Sequence, residues 1–159
     1  MLSDRQTADL TFLHDVEVEG EAFFDEMLRD TALATHRRYK LALMLQIETE
    51  TKARIRSCLI KHRVFHEVDQ GAPHRGRKKA QSLAGIPWAD FIGALGQEVS
   101  AYERVCLDIR SRGAASAMST LSAVVAHEHA FATFCTLETS GDSDSIAPLI
   151  RCLQFSPLD

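Results

Sequence analysis

The sequence predicts an all-α protein, on three observations. Apolar residues recur at spacings of three and four over long stretches. Good helix formers fill the positions between them. Few alternating β-branched runs remain once those stretches are assigned. A first helix is expected from about Leu10 to Leu28, with Leu13, Val16, Gly20, Phe23, Phe24 and Met27 along one stripe. A second runs from about Thr35 to His62 on the stripe Leu41, Met44, Leu45, Ile47, Ile55, Cys58 and Leu59, with Lys40, Ala42, Gln46 and Ala53 in the gaps. A third starts at Ile86-Pro87-Trp88, where proline suits the first turn, and runs to about Arg112 before Gly113. Its inner face is Phe91, Leu95, Val99, Tyr102, Cys106 and Ile109. The fourth runs from about Ala115 to Thr139, turns Leu121, Val124, Val125, Phe131, Phe134 and Cys135 inward, and ends at Ser140-Gly141. A short turn or helix follows at Pro148 to Leu153.

A chain of 159 residues fits one helical domain spanning residues 1 to 159. With 45% hydrophobic and 25% charged residues, it is neither disordered nor fibrous. Its 18 basic and 22 acidic side chains leave a formal charge of −4, so no nucleic-acid partner is expected. No stretch approaches the roughly 18 to 20 uninterrupted apolar residues of a membrane span, so no membrane partner is expected either. Met1 to Arg5 lacks the basic and apolar regions of a secretory leader, which points to the cytoplasm. Cys58, Cys106, Cys135 and Cys152 are far apart and sit among apolar neighbours, as buried reduced thiols do. There is no nucleophile elbow and no glycine-rich phosphate loop, and His127-Glu128-His129 places its two histidines on opposed helix faces. Trp88 reads as a packing anchor.

Between the second and third predicted helices, Val64 to Gly85 carries Gly71, Pro73 and the basic run His74-Arg75-Gly76-Arg77-Lys78-Lys79. This segment reads as a solvated mobile loop. About 20 residues can travel the length of a bundle, whereas an antiparallel turn needs only a few. The spacing therefore favours two helical hairpins joined by a crossover over a simple up-down-up-down path.

Helical-wheel positions make the acids informative. At about 100° per residue, Glu48 lies roughly 40° from the centre of its apolar stripe, Glu98 about 50° and Glu128 about 30°. Each should point inward. Glu17 and Glu19 flank the stripe of the first helix at about 80° on opposite sides, so either one supplies a fourth inward acid. His127 lies about 70° from the centre of its stripe, while His129 points outward. Burying a lone carboxylate costs several kcal/mol unless a partner, a proton or a metal satisfies it.

These inward acids, on helices joined by one long crossover, resemble the ferritin-like superfamily. The resemblance covers the four predicted helices and implies a ferritin-like four-helix bundle. It also implies a two-ion iron or manganese carboxylate centre with oxidoreductase activity, liganded by Glu19, Glu48, Glu98 and Glu128. That family's pattern is a Glu from each of two helices and a Glu-x-x-His from each of the other two. Here Thr51 follows Glu48 and Phe131 follows Glu128 at the histidine positions, leaving His127 as the replacement ligand.

Two further readings use the same residues. In a metal-free polar core, Lys52 pairs with Glu48 one turn earlier, and Tyr102 donates to Glu98 or Glu128. Such a core either fixes helix register or takes a small organic ligand against Lys52 and Tyr102. As an interaction module, the chain would form a homodimer through an apolar flank containing Val18, Phe24 and Leu28.

Overall fold

Ser3 opens the first helix. Its hydroxyl accepts from the Gln6 amide while the Gln6 side chain accepts from the Ser3 amide, a reciprocal cap that satisfies two otherwise unpaired donors. In the computed structural model, which describes residues 1–155, helix α1 therefore spans Asp4–Leu28 and begins six residues before the expected start. Five helices follow: α2 (Thr35–Lys61), α3 (Ala72–Ser82), α4 (Trp88–Ser111), α5 (Met118–Ser140) and α6 (Ala147–Cys152). A 3-10 turn at Ala115–Ala117 leads into α5, and Gly141, at φ 75°, ends it in the left-handed conformation that glycine adopts without penalty. The described residues are all-helical or irregular, with no strand.

The contacts fix direction. Glu21 meets Lys52 and Thr49, so α1 and α2 form an antiparallel hairpin. Glu103 meets His129 and Trp88 meets Glu138, making α4 and α5 a second hairpin. Arg112 reaches Asp9 and Phe23 stacks on Phe91 at 6.3 Å, so α4 runs against α1. Lys40 pairs with Glu138 and Glu48 approaches His127, so α5 runs against α2. Helices α2 and α4 thus share a direction, and the chain must travel back between them.

The return path corrects one expectation. The segment read as a mobile loop folds in its middle into α3, which lies alongside α1 and runs parallel to it, with Arg75 beside Glu19 and Gln81 beside Glu26. Gly76 explains the fit. A Cβ there would sit 2.1 Å from the Glu19 carbonyl oxygen and 3.0 Å from the Phe23 amide nitrogen, so only glycine lets the two backbones meet. The basic run is therefore partly tied down: Arg75 pairs with Glu19 and Asp69, and Lys79 with Glu98.

Two apolar clusters fill the interior. One contains Phe23, Phe24, Met44, Ile47, Phe91, Leu95, Phe131 and Phe134; the other contains Leu10, Leu13, Ile55, Leu59, Ile109, Leu121 and Val124. Each fully buried aliphatic or aromatic side chain contributes roughly 1.5 to 3 kcal/mol. Phe24, expected on a dimer flank, is only 2% exposed and packs edge-on to Phe131, so it belongs to the core and offers no surface to a second copy. Cys58, Cys106 and Cys135 are buried free thiols and Cys152 is a half-buried one. Among the described residues, no helix is long and apolar enough to cross a membrane.

Candidate metal centre

Between the two apolar clusters lies a polar layer to which all four long helices contribute. On α1 the order along the chain is Leu10 and Leu13, then Glu17, then Phe23 and Phe24. On α2 it is Met44 and Ile47, then Glu48 and Thr51, then Ile55. Helix α4 brings Tyr102 between Val99 and Cys106, and α5 brings His127 and Glu128 between Val124 and Phe131.

The geometry is close. The His127 Nδ1 atom lies 3.3 Å from Glu17 Oε2 and 3.9 Å from Glu128 Oε1, and its Nε2 atom lies 3.8 Å from Glu48 Oε1. One oxygen each from Glu17 and Glu48 and one ring nitrogen of His127 all lie within 4.8 Å of one another. Glu17 is 1% exposed and His127 0%. Phe131 holds the imidazole edge-on at 4.4 Å between ring centroids. A deliberate clearance supports the site: a Cβ on Gly20 would lie 2.5 Å from Glu48 Cδ and both its oxygens, so the missing side chain is the space the carboxylate occupies.

The layer is short of partners. Both Glu17 oxygens, both His127 ring nitrogens and the Tyr102 hydroxyl are buried without a hydrogen bond. Among the described residues, His127 is the one basic side chain in ion-pair range of these three carboxylates. Burial consequently pushes Glu17 up to about 8, with the proton-sharing contact to Glu48 and the Lys52 charge opposing the rise. Burial likewise pushes Glu128 up to about 8, and raises Glu48 well above the usual carboxylate range with help from the Glu17 charge. Tyr102 is also raised, first by burial and then by the Cys106 thiol beside it.

The structure brings together Glu48, Glu128 and His127 and resolves the choice on α1 in favour of Glu17. It places the other sequence-derived candidates elsewhere. Glu19 turns outward to Arg75, because α3 occupies that side of α1. Glu98, with a side chain 54% exposed, pairs with Lys79 at the protein surface. Lys52 closes onto Glu21, the acid across the hairpin, and not onto Glu48. Tyr102 lies in the layer but donates to neither Glu98 nor Glu128. Glu19, Glu98 and Lys79 instead rim a cavity of about 270 Å³ whose walls include Gly20, Glu48, Tyr102 and Glu128, so the polar layer has a route toward solvent. Glu17 had a sequence signal in the seam Leu10-Leu13-Glu17-Gly20-Phe24, which steps by three and four through the acid.

Set against protein-family models, curated proteins and solved structures, the chain matches none of them.

Proposed function

We propose that this chain is a ferritin-like metal-binding protein whose mid-height polar layer holds one iron or manganese ion. The observation that carries the reading is a buried cluster of three carboxylates and an imidazole in which both Glu17 oxygens and both His127 nitrogens are left without a hydrogen bond. Two antiparallel hairpins linked by a long return segment support the family reading. The donors suit the ion: oxygen-rich sites with one imidazole favour hard to intermediate divalent metals. Ligand bonds of about 2.0 to 2.2 Å put neighbouring donor atoms about 3 Å apart, so the separations of 3.3 to 3.9 Å need only small side-chain shifts.

One ion accounts for the donors better than two. A two-ion carboxylate centre uses six side chains including two histidines. Here Thr51 and Phe131 occupy the histidine positions, and Glu19 and Glu98 are engaged outside. Glu17, Glu48, Glu128 and His127 would hold the ion, which when bound supplies Lewis-acid or one-electron chemistry. Tyr102 keeps its proton beside the carboxylates, and the two apolar clusters exclude water from above and below. The 270 Å³ cavity admits a small reactant between the Glu19 and Glu98 rim and the Glu48 and Glu128 carboxylates.

Elemental analysis of the full chain purified from cells supplemented with iron or manganese tests this. Close to one ion per chain is expected, with loss in Glu17→Gln and Glu48→Gln while helical content is retained. Metal at trace level in the unsubstituted chain would overturn the reading in favour of a metal-free core that shares protons among its acids.

A further inference from the structure

A second group of donors lies outside the polar layer. At the end of α2, His62 closes the helix and Arg63 adopts a left-handed backbone at φ 59°, which turns the chain back over α1. His66 is thereby laid against His14 and Asp15. Its Nε2 atom is 2.8 Å from Asp15 Oδ1, and the His14 Nδ1 atom is 3.7 Å from the same oxygen. The two imidazoles meet edge-on at 5.3 Å between centroids. One donor atom from each of the three residues falls within 4.8 Å of the others.

The His14 ring is the unexplained part. It is 2% exposed, yet its Nδ1 atom has no hydrogen-bond partner and faces the Asp15 oxygen. A buried ring nitrogen left unpaired is destabilising, and a bound cation would offset that cost.

We propose that His14, Asp15 and His66 form a metal site of their own, selective for a zinc-type divalent transition ion. Metal-to-nitrogen and metal-to-oxygen bonds of about 2.0 to 2.1 Å set the edges of a tetrahedron at about 3.3 Å, and the two edges that meet at Asp15 Oδ1, 2.8 and 3.7 Å, bracket that value. Two imidazoles and one carboxylate form a softer donor set than the three carboxylates and single imidazole of the polar layer, so the two sites sort ions by chemistry. Three protein ligands leave a fourth position open. Beside it lies a cavity of about 100 Å³ walled by His14, Arg56, Leu59 and Phe65. The Asp69 amide donates to the same Asp15 Oδ1 at 3.3 Å and helps to fix the carboxylate. Arg56 is the opposing charge, and its exposure lets solvent screen it.

The test is calorimetric titration of the full, tag-free chain with Zn²⁺, repeated with Co²⁺ as a visible-range reporter of coordination. Zn²⁺ also suits the polar layer, so the titration is read in Glu48→Gln, which removes a ligand there and should still bind one Zn²⁺ tightly at this site. Substituting an outer-shell partner of a metal ligand costs about 10 to 100-fold in affinity, so removing a ligand in His66→Ala should cost more than about 100-fold. His66 lies outside the helices, so that variant should keep its circular dichroism. Arg56→Ala should tighten binding. Equal Zn²⁺ affinity in Glu48→Gln with and without His66→Ala would overturn the proposal. So would a thiolate charge-transfer band in the Co²⁺ spectrum, which would assign the ion to a cysteine.

Discussion

The half-buried carboxylate of Glu138 and the buried ones of the polar layer are provisioned in opposite ways. Glu138, near the end of α5, receives the Lys40 ammonium at both oxygens, the Trp88 indole N–H at 2.8 Å and the Ser145 hydroxyl at 2.6 Å. Burial alone would raise its pKa, but these donors outweigh it and hold the carboxyl below its usual range. Glu17, Glu48 and Glu128 have a single imidazole among them and are all raised. The difference teaches how to read a buried acid. Where an acid serves the architecture, the chain supplies the cation; where the chain withholds it, something from outside is expected.

The largest effect should come from damaging the provisioned region. Lys40→Met leaves Glu138 without its cation and should destabilise the protein by about 3 kcal/mol in chemical denaturation. Glu17→Gln in chelator-treated protein should leave stability unharmed or raise it at neutral pH, because a permanently neutral amide removes the cost of protonating, on folding, a carboxyl that is ionised in the unfolded chain. If Glu17→Gln destabilised the chain as much as Lys40→Met, the contrast between the regions would fail.

Next in size is metal-linked stability. Free Mn²⁺ or Fe²⁺ at about 100 times its dissociation constant should stabilise the unsubstituted chain by about 2.7 kcal/mol, read as a rise in Tm, with no rise in Glu17→Gln.

The two regions should also answer pH with opposite signs. Glu17 and Glu128 move from an ordinary value of 4.5 up to about 8 on folding, so across that window the folded chain binds more protons than the unfolded one. Stability of chelator-treated protein should therefore fall as pH rises from about 4.5 to 8. Glu138, shifted down, contributes stability above the usual carboxylate range that is lost as pH falls through its lowered value. Saturating metal should flatten or reverse the first slope, because the ion displaces the protons. A chelator-treated chain that gains stability through that window would contradict the account of the polar layer.

The smallest and most selective effect is expected of Gly20→Ala. Alanine gains up to about 1 kcal/mol over glycine in a helix interior. Its Cβ would displace only the movable end of Glu48. Denaturation should change little while metal content falls, and a variant that kept its metal would separate the glycine from the site.

Much of the fold was legible. The four long helices follow from apolar spacing, and their predicted ends agree with the structure to within about three residues except at the start of α1, as expected for amphipathic segments packed on one face. Helix α3 was hidden because its sequence, APHRGRKKAQS, has glycine and proline where a loop would and almost no apolar stripe. Its packing face is the small-residue row Ala72, Gly76 and Ala80, and close backbone approach through such residues leaves little apolar bulk to read. That omission propagated to the site. With α3 unseen, Glu17 and Glu19 looked equivalent, although α3 covers one side of α1 and draws Glu19 to Arg75. Glu48, Glu128 and His127 were recovered because core residues flank each of them within two turns on both sides. Glu98 has a similar wheel angle but sits where α4 meets solvent and Lys79, which no single-helix projection contains.

Because α2 and α4 share a direction, their link must span the height of the helices, about 40 Å for 27 residues at 1.5 Å each. A hairpin turn cannot substitute for it. That compulsory length is ground on which new chemistry can be tried at little cost to folding. This chain uses it twice, placing His66 near one end and Lys79, on the rim of the deeper cavity, further along. A cut or insertion between residues 62 and 87 would leave both hairpins covalently whole, yet it would unsettle an entrance at one level and a ligand at another.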